Sequence, residues 1–228
     1  DQPLVGMPFA LGETLVYTVR SGAREIGTVT LAAKERKLVR DKDSLVLSAT
    51  VTNAIGNELF RASNAIRSNV SPETLSPDDL EMKFDGSLAA FSHSARFDQG
   101  RSVVSVGNQR VDVPVGTHNI LSLIYAMRLY NLTLSKINPI KDTRVAVFWQ
   151  GRAHVFTLRP TDPQEITIGG QKLSAQQINV STGNQQLDAL SLKVWLSNDE
   201  RRLPLRFSIG NYQLDLVLTS AGIQPPEN

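Results

Sequence analysis

The chain has 228 residues, 41% of them hydrophobic and 20% charged, with a net charge of +2 and no cysteine. That length allows one sizeable core and that composition excludes disorder, while a near-neutral balance gives no grounds for a nucleic-acid partner. The missing cysteines exclude disulfides, thiolate nucleophiles and thiolate metal sites, but not an oxidising compartment, since a chain of this size needs no disulfide staples.

Asp1-Gln2-Pro3 opens the chain without an initiator Met, as a mature or a truncated terminus would, and no run of about 18 apolar residues suggests a membrane-spanning helix. Leu15 to Val19 and Ile26 to Ala33 are β-rich runs separated by Ser21-Gly22-Ala23, which reads as an opening hairpin. Lys34 to Lys42 carries dense charge of both signs and reads as a solvated strand end and turn. Leu45 to Thr52, and much of Glu58 to Arg67, alternate at period two and predict half-buried strands. Pro72 and Pro77 cannot donate to a ladder, so Ser71 to Asp79 is expected as a surface loop or a crossing. LEMKF, AAFSHSARF and SVVSV then follow at the spacing of an antiparallel meander.

Gly116 to Leu132 breaks this pattern. Ile120, Leu123, Ile124 and Met127 repeat at helical spacing with a second apolar row beside them, predicting a helix over about 118–131 that Thr117 or Asn119 can cap. Arg128 is the one charge between Asn119 and Leu132, so most of the helix should be covered by protein. Arg128 then either reaches water along its apolar stem or is held in a buried ion pair. Beyond the helix, RVAVFW and RAHVFTL form a hairpin that Pro160 and Pro163 are expected to close, followed by strands at EITI, KLSAQQINV, LSLKVWL, LPLRFSI and YQLDLVL. The tail over 221–228 is expected to fray.

Roughly a dozen strands with one inserted helix describe a single all-β domain over 1–228. Twist accumulates in so large a sheet, so it should curl into a barrel or half-barrel packed around the helix or lidded by it. His93, His118 and His154 lie far apart and read as ordinary strand and cap residues. No nucleophile elbow, phosphate loop or zinc motif is present, and the acidic groups at Asp78, Asp79 and Glu81 and at Asp199 and Glu200 read as turn residues. No metal, cofactor or catalytic residue is therefore expected, and a hydrolase ranks last because no base sits in recognisable spacing from a nucleophile.

With these elements placed, three stretches share a pattern: Phe9 with Gly12-Glu13, Leu15, Tyr17 and Gly27; NILSLIYAMR from Asn119 to Arg128; and VWLSNDERRLPLR from Val194 to Arg206. In this order, over nearly the whole chain, they resemble the bacterial exported family known as domain of unknown function 3108. The family pattern begins its helix with Asp where this chain has Asn119, and both residues cap helices. The resemblance implies a secreted or periplasmic protein of largely β structure, often anchored through a lipid on its native N-terminus, with no established catalytic residues. Glu13, which follows a glycine near the opening strand in the same pattern, is the candidate partner of Arg128 in a buried ion pair.

The expected function is a non-enzymatic, monomeric cell-envelope protein that binds an apolar or lipid-like ligand in the concave side of its sheet, with Tyr125, Arg128, Phe148 and Trp195 as candidate lining residues. The alternative is a structural or assembly module with a filled interior and no ligand, acting through contacts with an envelope protein.

Overall fold

The computed structural model describes residues 6–56, 61–132 and 142–219. The tail over 221–228 and the first part of the Glu58 to Arg67 run lie outside those residues. The first half contributes β1 Thr14–Ser21, β2 Arg24–Val39, β3 Lys42–Ala54, β4 Ala65–Val70, β5 Asp79–Lys83, β6 His93–Asp98, β7 Val103–Val106 and β8 Gln109–Asp112. The second contributes β9 Thr143–Trp149, β10 Arg152–Ile168, β11 Gln171–Ser181, β12 Lys193–Ser197, β13 Pro204–Ile209 and β14 Tyr212–Thr219. Between the halves stands the helix α1 Ile120–Ala126, continued by a 3-10 turn Met127–Leu129.

All fourteen strands join one antiparallel sheet in the order β8-β7-β6-β5-β4-β3-β2-β1-β14-β13-β12-β11-β10-β9. Each half is a meander, and the two meet where β1 pairs with β14, Leu15 lying opposite Thr219. The first and last strands therefore occupy the middle of the sheet, while β8 and β9, consecutive in the chain, lie at its two edges. A connection between them must cross from edge to edge, and α1 is part of that connection.

The sheet is curled but not closed by hydrogen bonds. Leu31, Leu45 and Val70 from one half and Phe156, Leu196 and Phe207 from the other share one core with Leu121, Leu123 and Met127 of the helix segment. A second cluster joins Leu80, Met82, Phe97 and Val104 of the first half to Phe148 of β9, the Phe97 and Phe148 rings meeting edge to face at 6.0 Å. Curling removes these apolar faces from water, at roughly 25 cal/mol per Å² buried. The concave wall thus encloses the helix, with Leu123 5% and Met127 2% exposed.

Four local expectations change. β2 continues through the charged Lys34–Val39 stretch, and the turn is confined to Arg40 and Asp41. The prolines of the second half do not close a hairpin: β10 runs through both, with an irregularity in its pairing to β11 between Pro160 and Pro163. Both fall beyond Leu158, where pairing with β9 has ended, so neither interrupts that ladder. The loop after β4 is not wholly superficial, because Leu75 enters the core at 0% exposure. The helix is shorter than 118–131: it begins at Ile120 because Asn119 is extended and capping, and it tightens to a 3-10 turn at Met127 before Tyr130 returns to extended backbone.

Gly27 of β2 shows why a residue without a side chain stands there, since a Cβ would lie 2.4 Å from the backbone oxygen of Asn53 in β3. Backbone cannot yield as a flexible side chain can.

Candidate functional site

The start of α1 is built from polar groups that the fold buries. Asn119, at 0% exposure, accepts from the Ser122 amide at 2.8 Å, and its side-chain amide donates to Ser68 Oγ at 2.9 Å and to the Asp79 carbonyl at 3.3 Å. Ser122 closes the capping box by accepting from the Asn119 amide at 3.0 Å. One residue earlier the chain pairs with the β9 edge, the His118 amide donating to the Ala146 carbonyl and the Phe148 amide to the His118 carbonyl, both at 2.8 Å. The helix start is thus fastened to β4 and β5 on one side and to β9 on the other.

His118 Nδ1 lies 2.9 Å from Ser122 Oγ, a serine and histidine in contact. This is not a nucleophile and its base in working form, because Ser122 has no exposed surface and its hydroxyl is committed to the capping box. Burial pushes the imidazole down to about 4, whereas an unfolded histidine titrates near 6.5. As pH falls from about 6.5 toward 4, the unfolded chain takes up a proton that the folded chain does not. The stability contributed by the neutral ring is complete above about 6.5 and is lost as pH falls through about 4, roughly 3 kcal/mol in all. Urea unfolding of wild type and His118→Gln at pH 7 and pH 4 checks this: the fall in wild type should exceed that of the variant by most of this amount, and equal falls would refute it.

The end of the helix is held by charge. Arg128 Nη1 donates to Glu13 Oε1 at 2.6 Å and Nη2 to Oε2 at 3.1 Å, with both side chains 1% exposed. The remaining donors reach the Arg201 carbonyl, from Nε at 3.2 Å and Nη2 at 3.0 Å, and the Pro8 carbonyl from Nη2 at 3.2 Å. The Phe9 ring lies 5.1 Å from the guanidinium carbon and packs edge to face on Tyr125. Of the two readings of Arg128, the route to water is the one that fails. The side chain is walled in by the segment before β1 and by the turn between β12 and β13.

These positions reassign the candidate lining residues. Tyr125 is 1% exposed inside the core, its hydroxyl is buried with no hydrogen-bond partner among the described residues, and burial raises its pKa. Trp195 is half-buried and packs against the edge of the core, with the Arg206 guanidinium over its ring at 5.8 Å. Of the four, Phe148 lines a cavity. That cavity, of about 310 Å³, lies at the seam, where Met82 of β5, Val106 of β7 and Val111 of β8 face Phe148 and Trp149 of β9. Phe91 stands at its mouth, 41% exposed, with His93 and Gln109 as polar rim. Trp149 Nε1 is buried there with no hydrogen-bond partner among the described residues.

Sequence reasoning missed Met82, Phe91, Val106, Val111 and Trp149 as lining residues. Each has an ordinary strand or turn context, and only the curling that brings the two edges of the sheet together sets them side by side.

The acidic groups have structural partners. Asp79 accepts from the side-chain and backbone amides of Asn69, and Asp199 accepts from Ser197 Oγ and from the backbone of Arg202. Among the described residues no three histidine, aspartate or glutamate side chains cluster as metal ligands would. Nor is any described helix long and apolar enough to cross a membrane.

A family model described as protein of unknown function, DUF3108, matches residues 16–217. Among solved structures, a beta-barrel-like protein of domain of unknown function DUF1849 from Brucella abortus is 10% identical, with 92% of this chain and 97% of that chain covered and a TM-score of 0.47. A protein from Bacteroides fragilis assigned as exported, with a YmcC-like fold, is 7% identical, with 94% and 98% covered and a TM-score of 0.38. No curated protein matches the chain.

Proposed function

This chain belongs to the DUF3108 family of proteins of unknown function, so membership brings no activity with it, and we propose from the geometry a non-catalytic protein of the cell envelope that binds a small apolar molecule in the groove at its seam. The observation that carries this reading is the contrast between the two ends of the concave side. Around α1 the space is filled, with Tyr125, Met127 and Arg128 no more than 2% exposed. At the seam, about 310 Å³ remains open between apolar walls. An apolar cleft of this size with a few polar groups at its rim suits a short aliphatic or aromatic ligand. The envelope location rests on the exported character implied by the family resemblance.

The uncharged dye N-phenyl-1-naphthylamine provides a test. Its fluorescence should rise saturably with wild-type protein, and Val111→Trp, which fills the groove, should weaken binding at least tenfold. No saturable rise, or equal binding to Val111→Trp of native thermal stability, would overturn the reading. The filled helix region favours a second reading, an assembly module with no ligand. Under it, cross-linking in envelope extracts captures one neighbouring protein, and the dye does not bind.

A further inference from the structure

A second cleft lies on the opposite face of the sheet, beneath the tip of the β2 and β3 hairpin. It consists of two adjoining spaces of about 440 and 310 Å³ that share Val39, Arg40 and Arg96. Its position on the outer face follows from strand alternation. Leu80, Met82, Ala95 and Phe97 point into the seam cluster, so Asp79, Glu81 and Arg96 between them point out. By the same rule Leu45 and Leu47 face the core and Val46 faces out, yet Val46 is only 7% exposed. The pairing of β2 with β3 is irregular between Ala33 and Glu35, and the hairpin tip is tied to the loop and strand beyond β4 by Lys42 to Asp78 at 3.0 Å and Arg40 to Asp79 at 3.7 Å. Arg40 and Asp41 hold φ of 50° and 63° at the turn, a conformation more readily supplied by Gly or Asn.

The cleft is lined by charges of both signs, and their pairing is unequal. Asp78 is bonded by Lys42, Asp79 by Asn69 and Arg40, Glu81 by Lys83 at 2.6 Å, and Asp98 by Arg101. Glu35, which Arg67 influences through space, is bonded by Lys37 at 2.8 Å. Every carboxylate on the cleft is therefore partnered. Two guanidiniums, Arg67 and Arg96, have no hydrogen bond or ion pair among the described residues. They stand on β4 and β6, on either side of β5, opposite Glu81 and Asp79 respectively. Strands about 4.8 Å apart and a rise of about 3.3 Å per residue put their Cα atoms on the order of 12 Å apart. Two extended arginines span that distance, and each presents a planar fork of donors matched to carboxylate or phosphate oxygens.

We propose that this outer cleft is a binding site for a small oxyanion-bearing molecule, a phosphate or carboxylate held between Arg67 and Arg96 under the hairpin tip. It is separate from the seam groove, and neither site depends on the other.

Calorimetric titration of the wild-type chain with inorganic phosphate and with citrate, and co-sedimentation with phosphatidylglycerol vesicles, test it. Saturable binding of at least one probe is expected, weakened at least tenfold by Arg67→Gln and by Arg96→Gln but unchanged by Arg20→Gln, an exposed position on β1. Dependence of vesicle binding alone on the two arginines would identify the anion as a lipid headgroup. Binding of free phosphate or citrate would identify a soluble ligand. No saturable binding of any probe, or binding indifferent to both arginine substitutions, would overturn the proposal. Both arginines are exposed, so the variants are expected to keep the wild-type thermal midpoint, and the neutral dye should bind them as it binds wild type.

Discussion

Replacing Arg128 with Met, which keeps most of the volume and removes the charge, is expected to destabilise the protein by roughly 3 to 5 kcal/mol, because Glu13 is left in the interior without its counter-ion. The effect should fall toward the upper end of that range, since the Pro8 and Arg201 carbonyls lose their donors together with Glu13. Glu13→Gln should cost somewhat less, because an amide can still accept one bond from the guanidinium. The informative variant is the double one, Glu13→Gln with Arg128→Met. Once the positive charge is absent, a neutral partner no longer carries the penalty of a lone ion, so the double variant should be markedly more stable than the sum of the singles predicts. Denaturant unfolding of all four proteins checks this. Single variants within about 1 kcal/mol of wild type would show that the pair contributes no more than exposed ion pairs do. The pair matters to the fold because it ties three separate segments: the approach to β1, the end of the helix, and the turn between β12 and β13.

Asn119→Asp is expected to destabilise by roughly 3 to 4 kcal/mol at neutral pH, although both residues are good helix caps. The acceptor role survives, since a carboxylate receives the Ser122 amide as well as an amide oxygen does. A negative charge at the start of a helix even gains about 0.3 to 1 kcal/mol, at most, in a helix this short. Against that stands the donor role. The Asn119 amide gives hydrogens to Ser68 Oγ and to the Asp79 carbonyl, and an ionised carboxylate at 0% exposure can give neither. The loss outweighs the dipole gain several-fold. A protonated carboxyl regains one donor, so the deficit should shrink as pH is lowered, and comparing the Asn119→Asp and wild-type unfolding midpoints at pH 7 and pH 5 measures the change. A variant as stable as wild type at pH 7 would show that capping alone matters at this position.

Much of this arrangement was legible from local pattern. The alternation in LVLSATVT and the helical spacing of Ile120, Leu123, Ile124 and Met127 each depend on neighbours a few residues away. A lone charge on an otherwise apolar helix has few physical outcomes, so Arg128 could be singled out from spacing alone, whereas Glu13 was named beside it through the family resemblance. Where local reading failed, a distant contact had intervened. β2 runs on through its charged stretch because β3 pairs with it as far as Lys42, and Leu75 enters the core although it sits in a loop flanked by prolines.

What the amino-acid order determined by itself was the antiparallel β character, the inserted helix, its capping residue and the charge that needed a partner, because each follows from spacing along the chain. Only the tertiary structure decided that Tyr125, Met127 and Arg128 are buried, that an apolar groove opens at the seam, and that Arg67 and Arg96 have no ion pair among the described residues. Whether a cavity survives, or a charge is satisfied, depends on the summed volumes and reach of side chains brought together from strands far apart in sequence. No periodicity within one strand records that sum.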